Sequence, residues 1–251
     1  MWARLSHQLP LVLGHRGARE RAAENTLAAF DLAIDEGADG VELDVRLERT
    51  GEVLVLHDRT LCRVTGGTDC RDVETCRFSE LVEVDVGGGQ RPPSLLAVLR
   101  WARRRRARLN IELKADVTHR QRLVDRVVAL LATEADASGR TLLSSFHPGM
   151  VRLARQRVAA WLPRPVPVAL LLHPHLPWVE GRPNWQSLGA DGVHPEASLV
   201  SPQRFARWKR HRALVNVWTV NDAARIHELA QAGVDAIITD DPHTAVLTLR
   251  S

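Results

Sequence analysis

Positions 37–45 read GADGVELDV, a glycine-bounded turn that leads directly into an apolar run. The residues before this turn have the spacing of an amphipathic helix, since Leu27, Phe30 and Ile34 fall at i, i+3 and i+7. Gly37 lies where such a helix would end, and glycine is the residue most often found there. The segment therefore predicts a helix, a glycine stop and a buried strand.

The same turn before an apolar run recurs at residues 189–192 and 233–236. Helix, glycine and strand in repetition are typical of a parallel α/β fold. The candidate buried strands lie near residues 11–15, 40–45, 109–113, 141–145, 166–171, 191–194, 214–218 and 235–239. Eight such units in 251 residues predict one domain over 1–251, a (β/α)8 TIM barrel.

A further apolar run at 52–57 does not fit this count. About six residues separate it from strand two, whereas a parallel crossover needs roughly a dozen or more. We therefore expect a β-hairpin extension after strand two, with its turn near 49–51. Residues 58–93 are rich in turn formers and match no helix–strand unit, so they are predicted to be an insertion over the barrel mouth.

The composition, with 45% hydrophobic and 25% charged residues, indicates an ordinary soluble globular protein. No apolar run approaches the roughly 20 residues of a membrane span, so no stable membrane insertion is expected. Residues 1–6 lack the apolar core of a secretory signal, which favours a cytoplasmic location. The four arginines at 103–106 are interpreted as a solvated helix end, because no nucleic-acid-binding motif accompanies them.

The cysteines at positions 62, 70 and 76 are odd in number and lack CxxC spacing. One disulfide is compatible with this pattern, but three reduced cysteines are expected in a cytosolic protein. A zinc site would need more ligands at tighter spacing.

Active sites of TIM barrels lie at the carboxyl ends of their strands. Glu42 and Asp44 share one face of strand two, because residues along a strand alternate faces. Glu112 and Lys114 share a face of strand three for the same reason. The predicted site consists of His15, Arg16, Glu42, Asp44, His57, Glu112, Lys114 and Trp218.

Three carboxylates without a sulfur ligand form a hard oxygen site, which suits one Ca²⁺ or Mg²⁺ ion. With that cation the carboxylates keep one negative charge, and Arg16 and Lys114 turn the local total positive. An anion with a single charge, such as a phosphodiester, fits such a site. His15 and His57 then offer a base and an acid on either side of phosphorus, while the cationic groups stabilise the charge on its oxygens.

Each residue also has a structural interpretation. A single histidine at a strand end is often structural, Lys114 can simply pair with Glu112, and Trp218 can pack in the core. The functional hypothesis rests on the convergence of all the chosen residues at predicted strand ends. No role is assigned to His147, His173, His175 and His194.

The chain resembles the glycerophosphodiester phosphodiesterase family of phosphatidylinositol phospholipase C-like TIM barrels. Its motifs are GHRG at 14–17, ENTLAAF at 24–30, GADGVELDV at 37–45, His57-Asp58, NIELK at 110–114, SSF at 144–146, WTVN at 218–221, GVD at 233–235 and ITD at 238–240. The ordered set spans nearly the whole chain and is far more specific than any one motif. Two positions depart from the family, with Ala23 in place of proline and Ser94 in place of threonine.

The resemblance implies metal-dependent hydrolysis of glycerophosphodiesters, such as glycerophosphocholine or glycerophosphoethanolamine, to sn-glycerol 3-phosphate and an alcohol. Water and the glycerol hydroxyl both stay open as the attacking nucleophile. Carried over by position, the acid–base pair is His15 and His57, the ligands of one Ca²⁺ or Mg²⁺ ion are Glu42, Asp44 and Glu112, the phosphate contacts are Arg16 and Lys114, and Trp218 lines the glycerol end.

Two other functions stay open. A related phosphodiesterase that acts on lysophospholipids or sphingomyelin, as a phospholipase D does, is expected to expose apolar residues at its mouth, and the polar 58–93 segment disfavours this. A non-catalytic phosphate- or headgroup-binding barrel would not need the two histidines. In each case the expected partner is a small molecule and not a nucleic acid, and the oligomeric state is open.

Overall fold

The computed structural model describes residues 9–134, 136, 139–176 and 184–250. Its strands are β1 (Leu11–His15), β2 (Gly40–Leu47), β3 (Val53–Val55), β4 (Arg108–Leu113), β5 (Thr141–Ser145), β6 (Val168–Leu172), β7 (Gly192–Pro195), β8 (Leu214–Val217) and β9 (Ala236–Thr239). Apart from β3, they pair in parallel in chain order, and β1 pairs with both β2 and β9, so the sheet closes into a barrel. The predicted TIM barrel is confirmed.

Helices follow most of the strands, and capping side chains mark where several of these helices begin. The hydroxyl of Thr26 accepts a hydrogen bond from the Ala29 N–H at 3.2 Å, and Ser94, which departs from the family's threonine, still caps its helix through the Ala97 N–H. The helices are α1 (Leu27–Asp35), α2 (Phe78–Leu81), α3 (Leu95–Arg105), α4 (Arg120–Thr133), α5 (Pro148–Trp161), α6 (Pro202–Arg210), α7 (Ala223–Ala232) and α8 (Pro242–Arg250), with 3-10 turns at Val73–Thr75, Trp185–Leu188 and Ala197–Leu199.

Two apolar layers hold the barrel together. The larger one lies between the strands and the surrounding helices. The inner one fills the barrel with side chains from four strands, namely Leu13, Leu142, Ala169, Ala236 and Ile238. Because side chains pack the interior, the space for a ligand is found at the strand ends.

The β-hairpin extension is also confirmed. β3 pairs antiparallel with the last three residues of β2, and Gly51 turns the chain between them with a φ of 96°, a conformation that favours glycine. Residues 58–93 pack on this extension through a separate, third apolar cluster, formed by Leu54, Leu56, Leu61, Val73, Cys76, Leu81, Val84 and Val86. One edge of the insertion reaches the loop after β1, where Arg63 binds Glu24. Coverage of the whole barrel mouth stays a prediction.

The expectation of three reduced cysteines is wrong for one pair, because Cys62 and Cys70 form a disulfide. The intervening segment is a compact turn, in which the Gly67 N–H donates to the Cys62 carbonyl and the Leu61 N–H donates to the Arg71 carbonyl. Residues eight positions apart are thereby brought side by side. Cys76 is buried and keeps a free thiol.

The arginine run forms the end of a helix, as predicted. Three of its members occupy the last turn of α3, and Arg106 ends that helix in the left-handed conformation with a φ of 55°. Part of the run lines a cleft of about 520 Å³ beside the amino-terminal ends of β4 and β5. None of the helices in the described residues is long and apolar enough to cross a membrane. Residues 1–6, on which the location was predicted, lie outside the described residues.

Candidate active site

His15 is the last residue of β1, and a carboxylate orients its ring. Its Nδ1 lies 2.6 Å from Oδ1 of Asp240, which follows β9. The side-chain amide of Asn221 donates to the other oxygen of Asp240 at 2.9 Å. Because Asp240 accepts from Nδ1–H, the Nε2 atom is the one left for chemistry. Asp240 belongs to the ITD motif at 238–240, and sequence reasoning missed this role.

His57 is oriented in the same way by its neighbour in sequence. Its Nδ1 lies 2.5 Å from Oδ1 of Asp58, whose second oxygen accepts from Nε of Arg63 at 2.6 Å. Burial lowers the pKa of the His57 imidazole and outweighs the nearby Asp44 carboxylate, which acts in the opposite direction. Each of the two histidines is therefore held at Nδ1 by a carboxylate.

The three predicted carboxylates converge. Asp44 on β2 is the register partner of Glu112 on β4, and one oxygen from each of Glu42, Asp44 and Glu112 lies within 4.8 Å of the others. Burial and the charges of Asp44 and Glu112 raise the pKa of Glu42 well above its ordinary value. Burial likewise raises the pKa of Glu112.

Two buried cations balance part of this charge. Nζ of Lys114 lies 2.9 Å from Oε1 of Glu112 and 3.3 Å from Oδ1 of Asp44. Nε of Arg16 lies 3.1 Å from Oδ2 of Asp44. Although burial acts against them, Lys114 and Arg16 lower the pKa of Asp44 below its usual range. With all groups charged, three carboxylates and two cations leave one negative charge.

This donor set fits a hard divalent cation. All the converging atoms are carboxylate oxygens, which Ca²⁺ and Mg²⁺ prefer. A divalent cation would also remove the repulsion that raises the pKa of Glu42. Glu42, Asp44 and Glu112 are therefore able to hold one such ion.

Asn25 is a site residue that sequence reasoning missed. Its side-chain N–H donates to Oδ2 of Asp44 at 3.0 Å, and its Oδ1 accepts from the Asp44 backbone N–H at 3.4 Å. Its φ is 57°, in the left-handed region that asparagine tolerates better than most residues. The asparagine in the Glu-Asn-Thr motif was the available signal, since few other residues combine this backbone with an amide.

We expect Asn25→Ala to lower turnover by about 10- to 100-fold, as losses of groups that orient metal ligands typically do. Asn25→Gly separates the two roles of this residue, because glycine keeps the left-handed backbone and removes only the amide. If the amide matters, the alanine and glycine variants lose similar activity, and the alanine variant alone loses additional unfolding free energy. A glycine variant with wild-type turnover would contradict the role given to the amide.

A cavity of about 210 Å³ opens at this end of the barrel, and its lining comprises His15, Arg16, Glu42, His57, Asn110, Glu112, Phe146, Leu171, Trp218 and Ile238. The Trp218 ring contacts Phe146 edge-on, with 5.4 Å between ring centroids. Its indole N–H donates to the His194 carbonyl at 2.7 Å. Trp218 is thus held as an aromatic wall and does not lie wholly within the core.

The four histidines without an assigned role have different positions. His194 is fully buried between the amides of Asn110 and Asn216, and burial lowers its pKa to about 3. His147 caps α5. The His173 ring stacks near Trp218, with centroids 6.1 Å apart, and it also contacts His175. The first two are structural, and the closeness of His173 to the aromatic wall had no signal in the sequence.

The chain is similar in fold and in sequence to known proteins. An Oleispira antarctica phosphodiesterase, solved in complex with the product sn-glycerol-3-phosphate, is 25% identical with a TM-score of 0.82, over 97% of this chain and 98% of that chain. A glycerophosphodiester phosphodiesterase from Thermotoga maritima is 26% identical with a TM-score of 0.77, over 96% and 99% of the two chains.

A Caldanaerobacter subterraneus subsp. tengcongensis glycerophosphodiester phosphodiesterase is 29% identical over 249 residues, which cover 96% of this chain and 98% of the relative. The model of the glycerophosphoryl diester phosphodiesterase family matches residues 15–244, a range that contains every predicted site residue. This chain belongs to the glycerophosphoryl diester phosphodiesterase family.

Proposed function

We propose that this chain hydrolyses glycerophosphodiesters, such as glycerophosphocholine or glycerophosphoethanolamine, to sn-glycerol 3-phosphate and an alcohol. The observation that carries the proposal is one cavity bordered by two carboxylate-supported histidines, Glu42, Glu112 and the Arg16 cation. Family membership and the product bound by the Oleispira antarctica relative support the same reaction.

The acid–base chemistry falls to His15 and His57. Since Asp240 and Asp58 hold the Nδ1 atoms, each ring offers Nε2 to the substrate. One Nε2 accepts a proton from the attacking water or glycerol hydroxyl as its oxygen bonds to phosphorus, and the other donates a proton to the oxygen of the departing alcohol as the bond from that oxygen to phosphorus breaks. If the glycerol hydroxyl attacks, a water molecule then opens the cyclic phosphate, with the two histidines exchanging their roles. The two carboxylates stabilise whichever imidazole is charged at each stage, as well as fixing the tautomer.

Arg16 and Lys114 are proposed to bind the non-bridging phosphate oxygens. Both cations are preorganised by Asp44, so they need little rearrangement to meet the substrate. One Ca²⁺ or Mg²⁺ ion, held by Glu42, Asp44 and Glu112, would supply Lewis-acid stabilisation of the charge on those oxygens. Trp218 is proposed to contact the glycerol carbons.

The direct test is release of sn-glycerol 3-phosphate from glycerophosphocholine and glycerophosphoethanolamine, with Ca²⁺ or Mg²⁺ and then with a chelator. Cation-dependent release supports the proposal. Cleavage of lysophosphatidylcholine or sphingomyelin in place of these substrates would replace it with the lipid-directed function. Binding of the substrates without any turnover would favour the non-catalytic barrel.

A cytoplasmic location stays the prediction drawn from the sequence, and the Cys62–Cys70 disulfide makes it testable. The disulfide of the structure disfavours that location, because the cytosol keeps thiols reduced. In a cytoplasmic protein, cells quenched with acid and then alkylated would yield protein with both cysteines modified. Buried Cys76 serves as the internal control, because it is modified only after denaturation in either compartment. An oxidised pair in freshly quenched cells would contradict the cytoplasmic location.

A further inference from the structure

Arg46 is a buried charge that the acid–base chemistry does not use. It lies on β2 two residues after Asp44, its exposed fraction is 1%, and it heads the largest fully buried side chains of the described residues. Burying a guanidinium is costly unless its hydrogen bonds are satisfied. The contacts of the Arg46 guanidinium therefore indicate its role.

The guanidinium joins two segments at the barrel mouth. Nε donates to the backbone carbonyl of His57 at 2.8 Å, and Nη2 donates to both oxygens of Asp116 at 2.8 Å. The remaining nitrogen, Nη1, has no hydrogen-bond partner among the described residues. Asp116 lies two residues beyond Lys114, and the Arg46 hydrogen bond and charge lower its pKa even though partial burial acts to raise it.

Two hydrogen bonds to residues of β2 hold the backbone around His57. The Leu56 N–H donates to the Asp44 carbonyl at 3.0 Å, and the Arg46 side chain holds the carbonyl of the next residue. β3 ends at Val55, so the ladder of strand hydrogen bonds no longer positions His57. Arg46 supplies the contact that the ladder lacks, and Asp116 fixes the direction of its planar guanidinium.

We propose that Arg46 is a positioning residue for the proposed acid–base reaction and that it acts through His57, with Asp116 as its anchor. The inference rests on the proposed function. A shift of a reacting group by about 1 Å costs on the order of 100-fold in rate. A lysine at this position keeps the charge but cannot contact the carbonyl and both carboxylate oxygens together.

The test is the turnover of glycerophosphocholine by Arg46→Lys in two backgrounds. With His57 present, we expect kcat to fall by about 10- to 100-fold and KM to change by less than about threefold. With His57→Ala, the same substitution is expected to lower the residual kcat by less than about threefold, because residues that act as a unit are not additive. An equal loss in both backgrounds would overturn the positioning role and leave the proposed function intact.

Asp116→Asn is the second variant, because the side chain is 57% exposed and its replacement tests the anchor if Arg46→Lys does not fold. We expect about a tenfold loss of kcat that also disappears in the His57→Ala background. Asp125→Asn is the matched control, since Asp125 forms another arginine pair, with Arg157, between α4 and α5, and its kcat should stay within about twofold of wild type. With His57 present, a loss of kcat in Asp116→Asn no larger than that in Asp125→Asn would overturn the anchor role. Absence of turnover by wild type would overturn the proposed function and this inference together.

Discussion

His15→Ala and His57→Ala are each expected to lower kcat for glycerophosphocholine by about 1,000-fold, within the range that general acid–base catalysis supplies. Each variant removes one Nε2 and leaves its partner carboxylate, Asp240 or Asp58, without the imidazole it supports. The His15 side chain is 15% exposed and that of His57 31%, so each variant should stay folded with a loss of unfolding free energy of about 1 kcal/mol, as is typical of point mutants. The measurement is steady-state release of sn-glycerol 3-phosphate, with chemical denaturation of each variant.

His227→Ala is the control for these variants. His227 is exposed on α7, where its ring forms a hydrogen bond with the side chain of Gln231. Its replacement should leave kcat unchanged. Turnover within tenfold of wild type in either His15→Ala or His57→Ala would contradict the proposed acid–base pair.

Glu42→Gln is expected to have opposite effects on activity and on stability. The loss of one metal ligand should lower turnover by about 1,000-fold, because a bound cation supplies several kcal/mol of charge stabilisation. In the protein without a cation, the pKa of Glu42 lies above its ordinary value, so the charged form opposes folding at neutral pH. Glutamine removes that charge, and the metal-free variant should therefore unfold at a higher temperature than metal-free wild type.

The raised pKa of Glu42 has a second consequence that can be measured. The penalty from Glu42 is present at neutral pH and is relieved as the pH falls through the raised pKa, so glutamine should stabilise less at lower pH. Ca²⁺ or Mg²⁺ should raise the unfolding temperature of wild type through binding and should not raise that of Glu42→Gln. Glu83→Gln, at an exposed position in the insertion, is the matched control. A cation-dependent increase retained in Glu42→Gln would show that Glu42 is not a ligand.

Much of the barrel follows from local patterns. Eight strands, the antiparallel return at Val53–Val55 and the helix ends depend on residue spacing, loop length and capping, all of which act within a few residues. The convergence of Glu42, Asp44 and Glu112 was also predictable, because strand alternation sets the face and parallel strands share one carboxyl end.

The missed residues have a common cause. Asp240 meets His15 across 225 positions of sequence, at the seam where β9 closes on β1. Asn25 reaches Asp44 through a loop after β1 that adopts a left-handed backbone at three residues, Arg16, Gly17 and Asn25. The disulfide was misjudged because cysteine spacing does not show how a turn folds.

The sequence by itself determined the fold class, the number of strands and the chemical types gathered at their carboxyl ends, since periodicity and spacing are local properties of the chain. Only the tertiary structure decided which groups support those residues: Asp240 on His15, Asn25 on Asp44, and Arg46 between His57 and Asp116. Those pairings depend on the register of barrel closure and on side-chain direction, to within about an ångström. No pattern along a single strand contains that information.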